Sequence, residues 1–570
     1  MAFKVKALVA LGQIACCALA VSGCGSSSSS NNSASPAAAA TGTTTTSNQT
    51  STATTVTPAS PATPPTTPPA TAPTTSPAPA VSAPPPAKVS TPAAVTSSSL
   101  VSATNGGDAC LPVSMPTTDA VFNSSKKIFA HYFYPFPVSL DNKTPVADYY
   151  NTQYLSKNGE SNKWLPEGGY LRQRPLGVNP IADAHWRQLN MQHEVSAAIA
   201  RGITGFTFNV MSVDQATTPT SQLHTMLSAA AAVDSRFKII VMPDLTALGS
   251  NADAVVEIIA SVAKSPSAYK LADGRLVVSA FDANLNSPAW WASVLSRLKT
   301  KGISVAFVPT FLGWNLYADL YSSVSYGLAD WGTATANASD LFANDAAIAH
   351  DSNKIFMTPV DGQQYRPKNF EFWEAGNSAS FRSGWMSSIE GDADWVQLVT
   401  WNDLSESSQI APYTDASLKR TIGTGYYDLN GYYAAWYLTG HQPAITHDVL
   451  YYFYRREPST AKAPVQSQLD HAVGDPAEND IELLAFLTAP GELKITVGGK
   501  TFTKSAAAGM VSFKVPTQPG IPLFTLSRNG AEVFSFEGGV QIYATGGIPS
   551  GVADMTYWSG SAAKSGICSL

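Results

Sequence analysis

The sequence predicts a (β/α)8 barrel followed by a small antiparallel β-sandwich, and three observations carry that prediction. Between about residues 128 and 440, short apolar runs and amphipathic stretches alternate, the pattern of parallel strands joined by helices. After about residue 470 the runs are joined by Gly-Gly or Asn-Gly, which are hairpin signals. All 12 tryptophans lie from Trp164 to Trp558, so the apolar bulk that a core needs is confined to the later part of the chain.

The strands can be taken in order. "KIFAHYFYPF" reads as the first. "HEVSAAIARGITGFTFNV" holds a helix, a stop at Gly202 and the second strand, and "FKIIVMPDLT" is the third after the helix "TSQLHTMLSAAAAV". "RLVVSAFDAN", entered through the "DGR" turn, is the fourth, and the helix "PAWWASVLSRLKTKG" leads to a fifth, "ISVAFVPTFLG". "YGLADWGT" is a weakly marked sixth, "KIFMTPVDG" a seventh and "DWVQLVTWND" an eighth, with "LNGYYAAWYLTG" as the helix behind it. An open doubly wound sheet is the alternative, because a miscount by one strand would leave the sheet unclosed.

The sandwich strands are "IELLAFLTA", "ELKITVGGKTFTKS", "GMVSFKVP", "PLFTLSRNGAEVFSF" and "VQIYA". "GGKT" within the second invites a phosphate-loop reading, but Lys494 stands where the leading glycine belongs, and a hairpin turn is expected.

The chain before the barrel reads differently. "MAFKVKALVALGQIACCALAVSGC" has early lysines, an apolar run and then small residues, the pattern of a secretory signal. Its ending, "VSGC", resembles the lipobox of bacterial lipoproteins, which implies a lipid on Cys24; an ordinary signal cut nearby is the alternative. Residues 25–107 are mostly Ser, Thr, Pro and Ala, with Lys88 as the one charge and no aromatic side chain. Such a segment cannot bury enough apolar area to offset the entropy of folding, so a disordered tether is expected. The expected organisation is therefore a signal over 1–24, a tether over 25–107, a barrel over 108–465 and a sandwich over 466–570. The protein would be exported and held at the bacterial envelope or cell surface, with the membrane as a partner through Cys24. Cys110 and Cys568 remain near the ends of the folded part, and in an exported chain they can pair as a disulfide or stay free. A formal net charge of −6 without a dense Lys/Arg run argues against a nucleic-acid partner.

In barrel enzymes the chemistry lies at the carboxyl ends of the strands. Here those ends carry His131 and Tyr132, Asn209, Asp244, Asp282, Trp331, Asp361, and then Trp401, Asn402, Asp403 and Glu406. One such aspartate could cap a helix, but several acidic strand ends on one face are harder to explain as caps. Crowded carboxylates repel unless each has donors or keeps its proton, which separates their pKa values. With aromatic rings to stack on sugar faces, this is the equipment of a glycosidase: one carboxylic acid protonates the leaving oxygen, and a carboxylate activates water or attacks the sugar. No GxSxG elbow, no GxGxxG after the first strand and no Cys/His cluster at zinc spacing is present, so neither a metal nor another cofactor is assigned. A cation between Asp244 and Asp282 is the alternative.

"VTWNDLSES", with "HYFYPF", "GITGFTFNV", "DGRLVVSAFD" and "LNGYYAAWYLTGHQPAI", resembles glycoside hydrolase family 71, the fungal-type α-1,3-glucanases or mutanases, over residues 128–544. The resemblance implies a (β/α)8 barrel, a C-terminal β-sandwich, and hydrolysis of α-1,3-glucosidic bonds of an α-glucan with inversion. It also implies that Asp403 and Glu406 are the catalytic pair. Inversion asks for carboxyl groups roughly 6.5–9.5 Å apart, which predicts an irregular loop over residues 401–406, since on a helix the two would be close neighbours. Glu406 is expected to be the acid and Asp403 the base, with the reverse order left open. His131, Tyr132, Asn209, Asp244, Asp282, Trp331, Trp401 and Asn402 are the expected substrate-binding or supporting residues. Fungal members usually read "WNDYGESHY", so Leu404, Ser405, Ser408 and Gln409 depart from that pattern and put linkage preference in doubt. Another α-linked glycan, or a surface protein that binds carbohydrate without turnover, are the competing readings.

Overall fold

The structure is a computed structural model that describes residues 110–336, 339–418, 423–544 and 551–568. The expected signal, Cys24 and the tether lie outside the described residues. No helix among the described residues is long and apolar enough to cross a membrane.

Eight parallel strands close a barrel in sequence order: β1 Lys127–Tyr132, β2 Gly205–Val210, β3 Lys238–Pro243, β4 Leu276–Ala280, β5 Val305–Phe311, β6 Gly327–Asp330, β7 Ile355–Asp361 and β8 Trp395–Val399. Closure comes from β1, which pairs with β2 on one side and β8 on the other. Side chains alternate between two environments along each strand. Phe129, Ile240, Val277, Ala306, Val308, Ala329, Met357 and Trp395 form one packed layer inside the barrel, whereas Ile128, Ala130, Phe206, Phe208, Ile239 and Val241 pack outward with the helices. The poorly marked sixth strand is the shortest of the eight, at four residues.

The helix Pro288–Thr300 shows how the sequence sets the outer layer. The Ser287 hydroxyl accepts from Trp290 N, Pro288 opens the first turn, Arg297 and Lys299 lie in the last, and Trp291, Val294 and Leu298 are buried at helical spacing. Burying a Leu298-sized side chain contributes about 1.5–3 kcal/mol, so Leu298→Ala is the change that would loosen this helix. Gly202 adopts φ +78° at the turn into β2, and an added Cβ there would meet Ala434 Cβ at 3.0 Å.

Two antiparallel sheets follow the barrel. The five-stranded sheet runs Gly509–Pro516, Asp480–Leu487, Val449–Arg455, Tyr557–Ala563, Gly566–Ile567, and the four-stranded one runs Lys500–Ala506, Gly491–Val497, Leu523–Arg528, Ala531–Glu537. Leu450, Tyr452, Leu483 and Ala485 of the first share a core with Leu493, Ile495, Phe524 and Leu526 of the second. Gly498 and Gly499, at φ +57° and +74°, make the turn between two paired strands. The antiparallel region begins at Val449, ahead of the boundary expected near residue 465, and Val449–Arg455 and Tyr557–Ala563 are strands that the sequence reading lacked. "VQIYA" supplies only an isolated bridge between Ile542 and Gly520.

Cys110 and Cys568 form a disulfide with their Cα atoms 5.6 Å apart. The Tyr451 hydroxyl, from the antiparallel sheet, donates to Cys110 O at 3.0 Å.

Candidate active site

The segment after β8 is an irregular loop closed by its own polar groups. Thr400 N donates to Ser408 O at 3.0 Å, Ile410 N to Thr400 O at 2.9 Å, and Asp403 N to Thr400 Oγ1 at 2.8 Å. Residues 401–406 are bends and turns, not helix. The Asp403 carboxyl holds the bend: its Oδ1 accepts from Ser405 N (2.9 Å), Ser405 Oγ (2.7 Å) and Glu406 N (3.2 Å). All three bonds fall on Oδ1, which leaves Oδ2 as the atom that can carry a proton toward the cleft.

That cleft opens at the carboxyl ends of the strands and is lined by Asp403 and Glu406 together with His131, Asn209, Asp244 and Trp331. Its aromatic wall is the edge-on packing of Trp331 against His131 (4.8 Å) and Phe281 (4.7 Å). Asp244 caps the turn after β3 through Thr246 N and Oγ1 and accepts from Asn209 Nδ2 at 3.0 Å.

A hairpin inserted after β7 supplies the remaining side. Gln364–Arg366 pairs antiparallel with Glu371–Trp373, which in turn pairs with His471–Val473. Gln364, Arg366, Lys368 and Trp373 all line the cleft. Arg366 Nη2 meets Glu406 Oε1 at 3.0 Å, Gln364 Nε2 donates to Glu406 Oε2 at 2.7 Å, and the Arg366 guanidinium lies 4.6 Å from the Trp373 ring centre.

These surroundings push the two carboxyls in opposite directions. Burial and then the neighbouring Glu406 charge raise Asp403 to about 7, against the pull of its Ser405 donors and Lys368. Burial alone would raise Glu406 as well, but Arg366, Lys368 and Gln364 outweigh it and hold Glu406 below its usual range. Asp403 is therefore the carboxyl that holds its proton more readily and Glu406 the one favoured as the ion, and of the two orders the sequence leaves open this favours Asp403 as the proton holder. Burial lowers His131 to about 3, so its ring is neutral. Burial also raises Asp244, and Asp361 well above its ordinary value with Asp330 and Glu406 adding to the rise.

The other expected residues lie elsewhere. Tyr132 neighbours His131 on β1 and so faces the opposite way: its ring stacks on Phe208 at 5.2 Å and its hydroxyl donates to buried Glu194. Trp401 packs against Phe206 in the core outside the barrel. Asn402 clamps the loop after β1, accepting from Phe133 N and donating to Phe133 O and Phe136 O. Asp282 is buried at φ +51° and does not line the cleft; burial and then Asp244 raise it to about 6 against Asn284. Among the described residues no three His, Cys, Asp or Glu side chains come together as a metal site. The sequence alone does not single out the hairpin residues Gln364, Arg366, Lys368 and Trp373, although "GQQYRPKNFEFW" directly after a strand end is a polar, basic and aromatic run.

The loop's departures from the fungal pattern sort by direction. Leu404 is buried with Phe136, Tyr150 and Leu171, Ser408 bonds Thr400, and Gln409 meets Gln173. Of the four, only Ser405 lines the cleft.

The family model described as glycosyl hydrolase family 71 matches residues 181–570. The glucan endo-1,3-alpha-glucosidase of Schizosaccharomyces pombe is 27% identical over 369 residues, covering 61% of this chain and 86% of that protein. A mutanase of Penicillium rubens is 25% identical over 212 residues, 35% of this chain and 47% of its own. Among solved structures, a GH99 endo-alpha-mannosidase from Bacteroides thetaiotaomicron is similar at a TM-score of 0.42 and 15% identity, covering 55% of this chain and 98% of that chain.

Proposed function

This chain belongs to glycosyl hydrolase family 71, and we propose that it hydrolyses the α-1,3-glucosidic bonds of an α-glucan with inversion at the anomeric carbon. That it is a glycoside hydrolase follows from the family. The linkage rests on the glucanase and mutanase relatives. The observation that carries the mechanism is one loop presenting two carboxyls to one cleft in unlike surroundings, Asp403 among neutral donors and Glu406 on Arg366 and Gln364.

In this reading Asp403, held neutral by burial and by Glu406, donates a proton from Oδ2 to the glycosidic oxygen as the bond to the anomeric carbon breaks. Glu406, kept ionised by Arg366 and Gln364, takes a proton from a water that attacks the opposite face of the sugar. The proton that Asp403 loses is regained from solvent as products leave, and Glu406 releases the one it gained. Ser405, with two bonds to Oδ1, holds the acid in place. Trp331 offers an aromatic surface for a glucosyl ring, and Asn209, Asp244 and Lys368 are placed to bond its hydroxyls. The two antiparallel sheets with their shared core are read as a β-sandwich. Export and lipidation at Cys24 remain part of the same proposal, supported by the signal and the "VSGC" ending.

The test is to incubate the protein with insoluble α-1,3-glucan and follow the anomer of the newly released reducing ends by NMR. Fresh β-anomer supports inversion; fresh α-anomer removes it while keeping the enzyme. Asp403→Asn and Glu406→Gln should each abolish release while glucan binding persists, and wild-type turnover in either would remove the site assignment.

A further inference from the structure

Glu374 is buried just beyond the cleft and has no part in the chemistry above. Its carboxyl nonetheless collects four donors. Gly376 N (2.8 Å) and the Tyr557 hydroxyl (2.6 Å) reach Oε1, while Arg455 Nη1 (2.9 Å) and Glu478 N (2.9 Å) reach Oε2. Arg455 and Tyr557 are cross-strand partners at the end of the ladder between Val449–Arg455 and Tyr557–Ala563, two adjacent strands of the five-stranded sheet, with the guanidinium 4.0 Å from the tyrosine ring centre. Charged groups are found this deep only where ion pairing and hydrogen bonds satisfy them fully. An attachment of that kind fixes a backbone position.

The position it fixes is the end of the cleft hairpin. Glu374 directly follows Trp373, which lies opposite Gln364 in the ladder and carries Arg366 on its ring. Gln364 and Arg366 are the two donors to the Glu406 carboxylate. Tyr365, between them, gives its N–H to Glu406 O (2.7 Å) and its hydroxyl to Asp470 Oδ2 (3.2 Å). The hairpin thus faces the base on one side and is bolted to the antiparallel region on the other.

We infer that Glu374 is a positioning residue of the hydrolytic site: it ties the cleft hairpin to Arg455 and Tyr557 so that Arg366 and Gln364 stay on Glu406, which makes the antiparallel region part of the active site. The inference rests on the reading of Glu406 as the base.

The experiment measures kcat and KM against pH on a soluble α-1,3-gluco-oligosaccharide for the full chain and for Glu374→Gln, Tyr557→Phe, Arg366→Gln and the Glu374→Gln/Arg366→Gln double variant. Glu374→Gln should lower kcat about tenfold or more with KM within about twofold, since the loss falls on the chemical step. The acidic limb of its profile should rise by about one pH unit, because an Arg366 that no longer sits on Glu406 lets the carboxyl take a proton more readily. The double variant should move that limb no further than Arg366→Gln alone, the non-additivity expected of residues acting through one path. An unmoved limb, or limb shifts that add, overturns the inference, since a structural role alone would change only the melting temperature. Tyr557→Phe removes one donor and should give a smaller shift of the same sign; it decides the matter if Glu374→Gln does not fold. Glu406→Gln separates the two levels. Full activity in that variant defeats the proposed mechanism, whereas its inactivity beside a wild-type profile in Glu374→Gln defeats this inference alone.

Discussion

Asp403→Asn should stabilise the protein at alkaline pH while abolishing hydrolysis. The buried Asp403 carboxyl is raised from its ordinary 3.8 to about 7. In the unfolded chain it ionises near 3.8, whereas in the folded protein it keeps its proton until about 7. The native state therefore binds more protons across that window, and stability falls as pH rises through it. A rise of about three pH units at about 1.4 kcal/mol each sets an upper bound of roughly 4 kcal/mol lost between pH 4 and pH 8. Asparagine has the same shape, can accept the Ser405 and Glu406 N–H bonds through Oδ1, and never ionises. The stability gap between Asp403→Asn and wild type should thus be small at pH 4 and grow to roughly 2–4 kcal/mol at pH 8. Urea unfolding at the two pH values, compared through midpoints and slopes, measures it directly. A gap that is constant with pH, or that shrinks as pH rises, would refute the reasoning.

The pH profile of kcat/KM should be bell-shaped, with its alkaline limb near 7 from Asp403 and its acidic limb below the usual glutamate range from Glu406; an alkaline limb above about 9 would point to a different acid. Ser405→Ala removes the 2.7 Å hydroxyl bond that favours ionised Asp403, so the alkaline limb should rise by about half a unit to one unit with the fold intact, read from the same profile. Trp331→Ala should raise KM for oligosaccharides about tenfold or more by removing a stacking surface from the cleft wall, and steady-state kinetics would show it. Cys110→Ser should lower stability by roughly 2–5 kcal/mol in denaturant titrations and leave KM unchanged, because neither cysteine lines the cleft.

The barrel was legible because each of its strands is an apolar run with a marked end, and even the four-residue β6 carries its Trp331 turn. The antiparallel boundary was harder. "VLYYFYR" is apolar on both faces and follows the last barrel helix, so it reads as barrel, although it pairs with Asp480–Leu487 and Tyr557–Ala563. The latter is rich in Ser, Gly and Ala, residues that mark loops more often than central strands. Within the site, adjacent His131 and Tyr132 look alike in sequence, yet the two-residue period of a strand admits only one of them, His131, to the cleft. The order of proton affinities in Asp403 and Glu406 was beyond reach for a different reason. It depends on Arg366, forty residues away in sequence, reaching Glu406 from another loop, and local spacing carries no trace of such a meeting.

The Cys110–Cys568 bridge closes the whole of the described chain into a covalent ring. A ring cut once is still one molecule. A protease that nicks a single exposed loop between these residues would therefore release nothing, and the nicked protein would separate into two bands only under reducing conditions. Only a second cut or loss of the bridge could free a piece of the catalytic barrel. For an enzyme proposed to work outside the cell, where disulfides persist, that ring counts loop damage in pairs.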